Sequence, residues 1–214
     1  MCNKPHGGNF KQLKESVIDA SESKVWADAV LEWEISGASF DVSGTSECVC
    51  GQKHIKRLFE IRNFINGIIL YPIGSECIKR FGNDELSSNL RVLESFFRLL
   101  EYVDDAGWYN PDRLVTLKDG VYTRALFKFM IEKGAFVPHK YNNYRPCGDY
   151  EFMLRLFNKR SSLSAREVYR EEKIIRQYLY PWMRKYYKLY SEGKPVVFEP
   201  FKCNRRYYCK YHLN

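Results

Sequence analysis

Residues 48–81 read CVCGQKHIKRLFEIRNFINGIILYPIGSECIKRF, and the order of thiols, alternation and turns in this stretch decides what the rest of the chain must complete. Cys48-Val49-Cys50-Gly51 brings two thiols together at a glycine turn, His54 follows closely, and Cys77 comes just after Gly74-Ser75. Between them Ile55, Arg57, Phe59 and Ile61 alternate with Lys56, Leu58, Glu60 and Arg62. That is the period of a half-buried strand. Asn66-Gly67 is a strong hairpin signal ahead of a second apolar run, GIILYPIG. Ser75 is predicted to cap a short helix whose first turn carries Cys77.

Zinc takes four soft or borderline ligands at tetrahedral corners. A turn holding two thiolates and a helix start holding a third supply Cys48, Cys50 and Cys77, and His54 is the best fourth ligand by proximity. A helix N-terminus and a bound metal would both lower the Cys77 thiol pKa. Knuckle, hairpin and helix follow in the order of treble-clef-like zinc modules, whose zinc is usually structural. The alternative is three buried free cysteines and an exposed histidine.

Outward from this module the pattern is helical. Trp26, Val30 and Trp33 place one apolar stripe on a helix starting at Ser23, and the Gly- and Ser-rich run ISGASFDVSGTSE after it reads as an irregular connection. Leu90, Leu93, Phe97, Leu100 and Val103 mark an amphipathic helix, and Leu126, Phe127, Met130 and Ile131 a second that stops at Gly134. A third is expected to start from an Asp149 cap. Ser164 and Glu167 form a capping-box pattern at the head of the longest candidate, which runs to Gly193 and should kink or divide at Pro181. The expected class is α+β, mainly helical, with a small zinc-stabilised β-hairpin module. The expected divisions are an N-terminal helical region at 1–47, the zinc module at 48–81, a helical body at 82–193 and a basic aromatic tail at 194–214.

Composition narrows the class. The chain has 214 residues, 45% of them hydrophobic and 16% aromatic, which excludes a disordered chain. No run approaches the roughly 20 apolar residues of a membrane span, and the start MCNKPHGGNFKQLK lacks an apolar signal region, so a cytoplasmic protein is expected. Seven cysteines cannot all pair internally. The net charge of +8 is concentrated: residues 158–214 hold 14 basic and 5 acidic residues, net +9, and residues 48–81 are net +4, whereas residues 1–47 are net −4. A localised basic surface points to an anionic partner.

Basic and aromatic residues interleave from Tyr178 onward, with Arg184, Lys185 and Lys188 in the helix and Arg205, Arg206 and Lys210 near the end. Cations neutralise phosphates while aromatic faces stack on unpaired bases. The competing reading buries Trp182, Tyr186 and Leu189 as a core stripe and leaves the cations solvated; core packing is favoured for individual aromatics, and an anionic partner for the quarter as a whole. Cys203, Cys209 and His212 could form a second metal site, completed by His139 or Cys147, although an unliganded tail is the favoured reading. No G-x-x-x-x-G-K-[ST], H-E-x-x-H or G-x-S-x-G motif occurs, so an enzyme is harder to support; a Cys/His nucleophile pair meeting only in the fold, or a metal-dependent enzyme with an open coordination position, is the third and least favoured reading.

The string EWEI followed by CVCGQKHIKRLFEIRNFINGIILYPIGSECIKRF resembles the small cysteine-rich module of short phage and mobile-element proteins. The shared features are the C-x-C-G turn, an Ile/Val-x-Asn signature at Ile61-Arg62-Asn63, and the Gly-x-x-Cys-Ile element from Gly74 to Ile78. The stretch from YTRALFKFMIEKGAF through DYEFMLRLFNKR is similar to the helical segment often attached to that module. Gln52 stands where many relatives have His, so His54 takes the fourth ligand place by inference. The resemblance implies a metal-bound module and a mobile-element setting in a host cytoplasm, without supplying an activity. Two functions follow as expectations: a nucleic-acid-binding accessory protein, or an anti-CRISPR-like inhibitor of a host defence nuclease whose basic surface contacts or competes for that nucleoprotein complex's nucleic acid.

Overall fold

The structure, a computed structural model, describes residues 7–110 and 112–197. It is α+β: mostly helical, with one small antiparallel sheet. The chain divides into two compact units, one gathering the described residues up to Arg91 with those from Lys188 onward, the other spanning Val92–Tyr187.

The first unit contains α1 (Gly7–Asp19), α2 (Trp26–Ala29), β1 (Trp33–Phe40), β2 (Arg57–Asn63), β3 (Ile69–Ile73), α3 (Ser75–Lys79) and the start of α4 (Asp84–Ala106). The hairpin expected between Ile55 and Ile73 is β2–β3, with Gly67 at φ +78 in its turn. It is part of a larger sheet of order β1-β2-β3. The predicted helix from Ser23 to Trp33 shrinks to α2 and a 3-10 turn at Val30–Glu32, and the run read as irregular starts with a strand. Partner pairing overrides composition here: β1 lies antiparallel against β2 from Trp33↔Asn63 to Phe40↔Arg57, with the register shifting between Ile35 and Gly37. Trp33 is buried and its indole N–H donates to Ser21 Oγ at 3.0 Å.

Two buried polar residues pin the turns around this sheet. Asn63, fully buried, donates from Nδ2 to Glu32 at 2.6 Å and accepts from the Ile65 and Asn66 N–H groups at 2.9 and 3.2 Å. Glu32 also accepts from the N–H groups of Glu22 and Ser23, each at 2.8 Å. Burial pushes the Glu32 carboxyl up, but these hydrogen bonds outweigh it and hold the group below its ordinary value. On the far side of β1, Ala38 bridges to Val196 through hydrogen bonds of 3.2 and 2.6 Å.

The second unit packs the rest of α4 with α5 (Arg124–Glu132), α6 (Pro146–Phe157), α7 (Ala165–Ile174) and the first part of α8 (Tyr180–Ser191). Its core includes Phe96, Phe127, Met130, Ile131, Met153 and Leu179. The amphipathic patterns for α4 and α5 hold, α5 being capped by Thr123 and stopped at Gly134, whose φ is +77. The Ser164–Glu167 capping box is present. Asp149 is not a cap. Helix α6 already begins at Pro146, and Asp149 is buried within its first turns, where partners distant in sequence claim its carboxylate. Pro181, which lacks the N–H that a continuous helix needs, follows a π-helical turn at Ile175–Leu179 in which the Tyr180 N–H reaches back to the Ile175 carbonyl.

Candidate metal centre

The knuckle is built from backbone. Cys48 N–H donates to the Gln52 carbonyl at 2.8 Å and Gly51 N–H to the Cys48 carbonyl at 2.7 Å, closing the turn, while Val49 N–H ties it to Pro72 at 2.9 Å. Gly51 has φ +83, and a Cβ there would stand 2.8 Å from Gln12 Oε1. Gln12 in turn donates to the Val49 carbonyl at 3.1 Å, so α1 holds the knuckle from outside. The third thiol comes from α3, whose cap is Gly74 rather than Ser75; Ser75 is the first helical residue and makes no capping bond.

This arrangement gathers the sulfurs of Cys48, Cys50 and Cys77 within 4.8 Å of one another, all three buried. Cys48 and Cys77 sulfurs are 3.6 Å apart, and Gly74 N–H donates to Cys48 Sγ at 3.3 Å. The Cys77 S–H and the Cys50 and Gly74 N–H groups favour a Cys48 thiolate and lower its pKa to about 6. The hydrogen bond that Cys77 donates to Cys48, together with burial and the charge on Cys48, pushes Cys77 up, and burial raises Cys50. Metal-free, Cys77 therefore departs from the expected lowering, because the neighbouring thiolate outweighs a helix of only five residues. Three convergent thiols, one already poised as thiolate, could hold a metal ion.

His54 does not belong to this group. Its ring is exposed, its Nδ1 lies 3.0 Å from the Gly44 carbonyl, and its backbone has φ +62. Among the described residues no fourth His, Cys, Asp or Glu joins the three cysteines. Nothing local in the sequence marks Gln12 or the Gly74 N–H as part of the site.

Of the other predicted positions, Arg184, Lys185 and Lys188 are exposed on α8, whereas Met183, Tyr186 and Tyr190 are buried. Trp182 is held in an aromatic cluster with Phe96 and Phe129, and its indole N–H donates to the Lys133 carbonyl at 3.1 Å. The aromatic residues of α8 thus serve mainly the core. Arg184 lies over the Tyr109 ring, 4.1 Å from its centroid. Cys203, Cys209, His212, Arg205, Arg206 and Lys210 lie outside the described residues. Of the two residues proposed to complete that set, Cys147 is buried in α6 and His139 is hydrogen-bonded to Asp149 at 2.7 Å. No helix among the described residues is long and apolar enough to cross a membrane.

Comparison with protein-family models, with curated proteins and with solved structures finds no match to this chain.

Proposed function

We propose that this chain is a zinc-binding accessory protein of a phage or mobile element, active in the host cytoplasm, that binds nucleic acid through its basic C-terminal surface. Zinc is the metal that suits the donors: in a tetrahedral Zn–thiolate site, bonds of about 2.3 Å put sulfurs about 3.8 Å apart. The 3.6 Å between Cys48 and Cys77 is close to that edge. Knuckle, hairpin and short helix would then form a treble-clef-like module whose zinc is structural. In this proposal the fourth corner falls to His54, whose ring must leave the Gly44 carbonyl to take it. Metal analysis of the purified protein should find close to one zinc per chain, lost in Cys77→Ser. Less than half an equivalent removes the zinc reading, and full zinc affinity in His54→Ala assigns the fourth corner elsewhere.

The observation that carries the nucleic-acid reading is the division of α8 into a side of buried aromatics and exposed cations at Arg184, Lys185 and Lys188. The net +9 of residues 158–214 adds to it. Cations neutralising phosphates release counterions, so affinity should fall steeply with salt. Fluorescence anisotropy with single- and double-stranded oligonucleotides between about 50 and 200 mM salt measures this. Replacing the three α8 cations by alanine should flatten the log–log slope by up to about 3. No binding, or a slope unchanged by the triple variant, removes this reading.

A further inference from the structure

A second constellation lies wholly within the second unit, whereas Cys48, Cys50 and Cys77 belong to the first. A cleft of about 360 Å³ is lined by the α7 residues Arg166, Tyr169, Arg170 and Lys173, with Tyr141 on the 3-10 turn Lys140–Asn142, His139 as the cap of that turn, and Tyr178 on the π-helical turn. Ile174, buried, also contributes to its apolar wall. The spacing on α7 is what places those side chains together: positions three and four apart share one helix face.

A buried carboxylate organises the cleft. Asp149 is 3% exposed and accepts from Arg170 Nη2 at 3.0 Å on one oxygen, and from His139 Nε2 at 2.7 Å and Asn142 Nδ2 at 3.0 Å on the other. His139 is stacked on Tyr178 with ring centroids 4.3 Å apart and planes 8° from parallel. Its Nδ1 accepts the Tyr141 N–H at 3.2 Å, which puts the ring proton on Nε2, facing Asp149. Both ring nitrogens are therefore occupied, and His139 has no lone pair to offer as a general base. The turn carrying it ends in two consecutive non-glycine residues at positive φ, Asn143 at +53 and Tyr144 at +57. Such strain persists only where surrounding structure holds it.

What the cleft presents outward is cationic and aromatic. Three cations face one carboxylate, and the carboxylate is already consumed by its own partners. Arg166 makes no ion pair among the described residues, and Arg170 keeps 42% of its side chain exposed beyond its bond to Asp149. Tyr169 is 67% exposed and its ring makes no aromatic or cation–π contact among the described residues. Tyr141, by contrast, already lies under Lys173, whose Nζ is 4.0 Å from the ring centroid. An unused guanidinium beside an unused aromatic face suits an anion carrying a flat ring.

We propose that this cleft binds a phosphorylated nucleoside, with the phosphate held by Arg166, Arg170 and Lys173 and the base stacked on Tyr169. The chemistry is shared by a free nucleotide and by the phosphorylated end of a strand. The site is one of binding rather than catalysis, and it does not depend on zinc or on the α8 cations. Its volume falls within the range of small-ligand sites.

The test is calorimetric titration of the full chain with AMP, GMP, CMP and UMP, and in a separate arm with a 5′-phosphorylated tetranucleotide. Saturable one-to-one binding of at least one probe at or below about 1 mM is expected. Loss of base stacking is worth about tenfold or more, so Tyr169→Ala should weaken binding by that factor, as should Arg166→Ala. Adenosine and ribose 5-phosphate, each lacking half of the recognised chemistry, should bind more weakly than AMP. Binding of the tetranucleotide alone places the ligand at a strand end; binding of the mononucleotides makes it a free nucleotide. No binding of any probe, or binding indifferent to both substitutions in proteins with unchanged circular dichroism, overturns the proposal. The Arg184, Lys185 and Lys188 triple variant should bind the mononucleotide as the parent does, which separates this site from the nucleic-acid surface.

Discussion

Cys48 carries the sharpest electrostatic consequence at the residue scale. In the metal-free protein its pKa falls from an ordinary 9.0 to about 6, so between these values the unfolded chain binds the extra proton and stability rises with pH. Cys50 and Cys77 are shifted the other way, so above pH 9.0 the unfolded chain ionises groups that the fold keeps protonated, and stability falls again. Chemical denaturation in the presence of a chelator should therefore give a maximum near pH 9. A profile that declines from pH 6 to 9 contradicts the thiolate assignment. Bound metal would draw protons from the other two thiols and change this profile. Asn63 offers a second test. Asn63→Ala would strip a partner from Glu32 and from two turn N–H groups, which at about 1 kcal/mol or more each amounts to about 3 kcal/mol of lost stability, readable from denaturant midpoints.

At the scale of elements the knuckle turn is the most constrained. Gly51→Ala places a Cβ on a left-handed backbone and against Gln12, at a cost of about 1–2 kcal/mol, and should displace Gln12 from the Val49 carbonyl. Zinc titration alongside denaturation should show both lower stability and weaker metal binding; an unaltered variant would mean that the turn does not fix the thiols. The same elements show what sequence could and could not reveal. The β2–β3 hairpin, α4, α5 and the Ser164 cap were legible because their signals are local: alternation, a 3.6-residue stripe, a turn dipeptide, a capping box. β1 was not, because pairing with β2 makes a strand of a Gly- and Ser-rich run. The three cysteines of the candidate metal centre were legible in the same way, but the placement of His54 depends on a positive-φ backbone and the Gly44 carbonyl. Asp149 looked like a helix cap because its actual partners, His139, Asn142 and Arg170, lie 10, 7 and 21 positions away.

At the scale of the whole molecule, the first unit is discontinuous: among the described residues it is completed by those from Lys188 onward, which follow the Val92–Tyr187 span of the second unit. Val196, fully buried, contributes the bridge to Ala38, and Phe40 packs on Tyr190 with ring centroids 5.0 Å apart. Val196→Asp should bury an unpaired charge and cost about 3 kcal/mol or more. Hydrogen exchange should show the loss first in β1 amides, and exchange unaffected there would mean that the bridge adds nothing to the strand. The bridge also orders events during synthesis. A ribosome adding about 5–20 residues per second needs on the order of ten seconds to travel from β1 to residue 196. Through that interval the backbone N–H and C=O of Ala38, on the edge strand of the sheet, lack their partners at Val196. A nascent chain of this design offers neighbouring polysomal copies an open edge, and slowing translation late in the message should raise its aggregation in the cell.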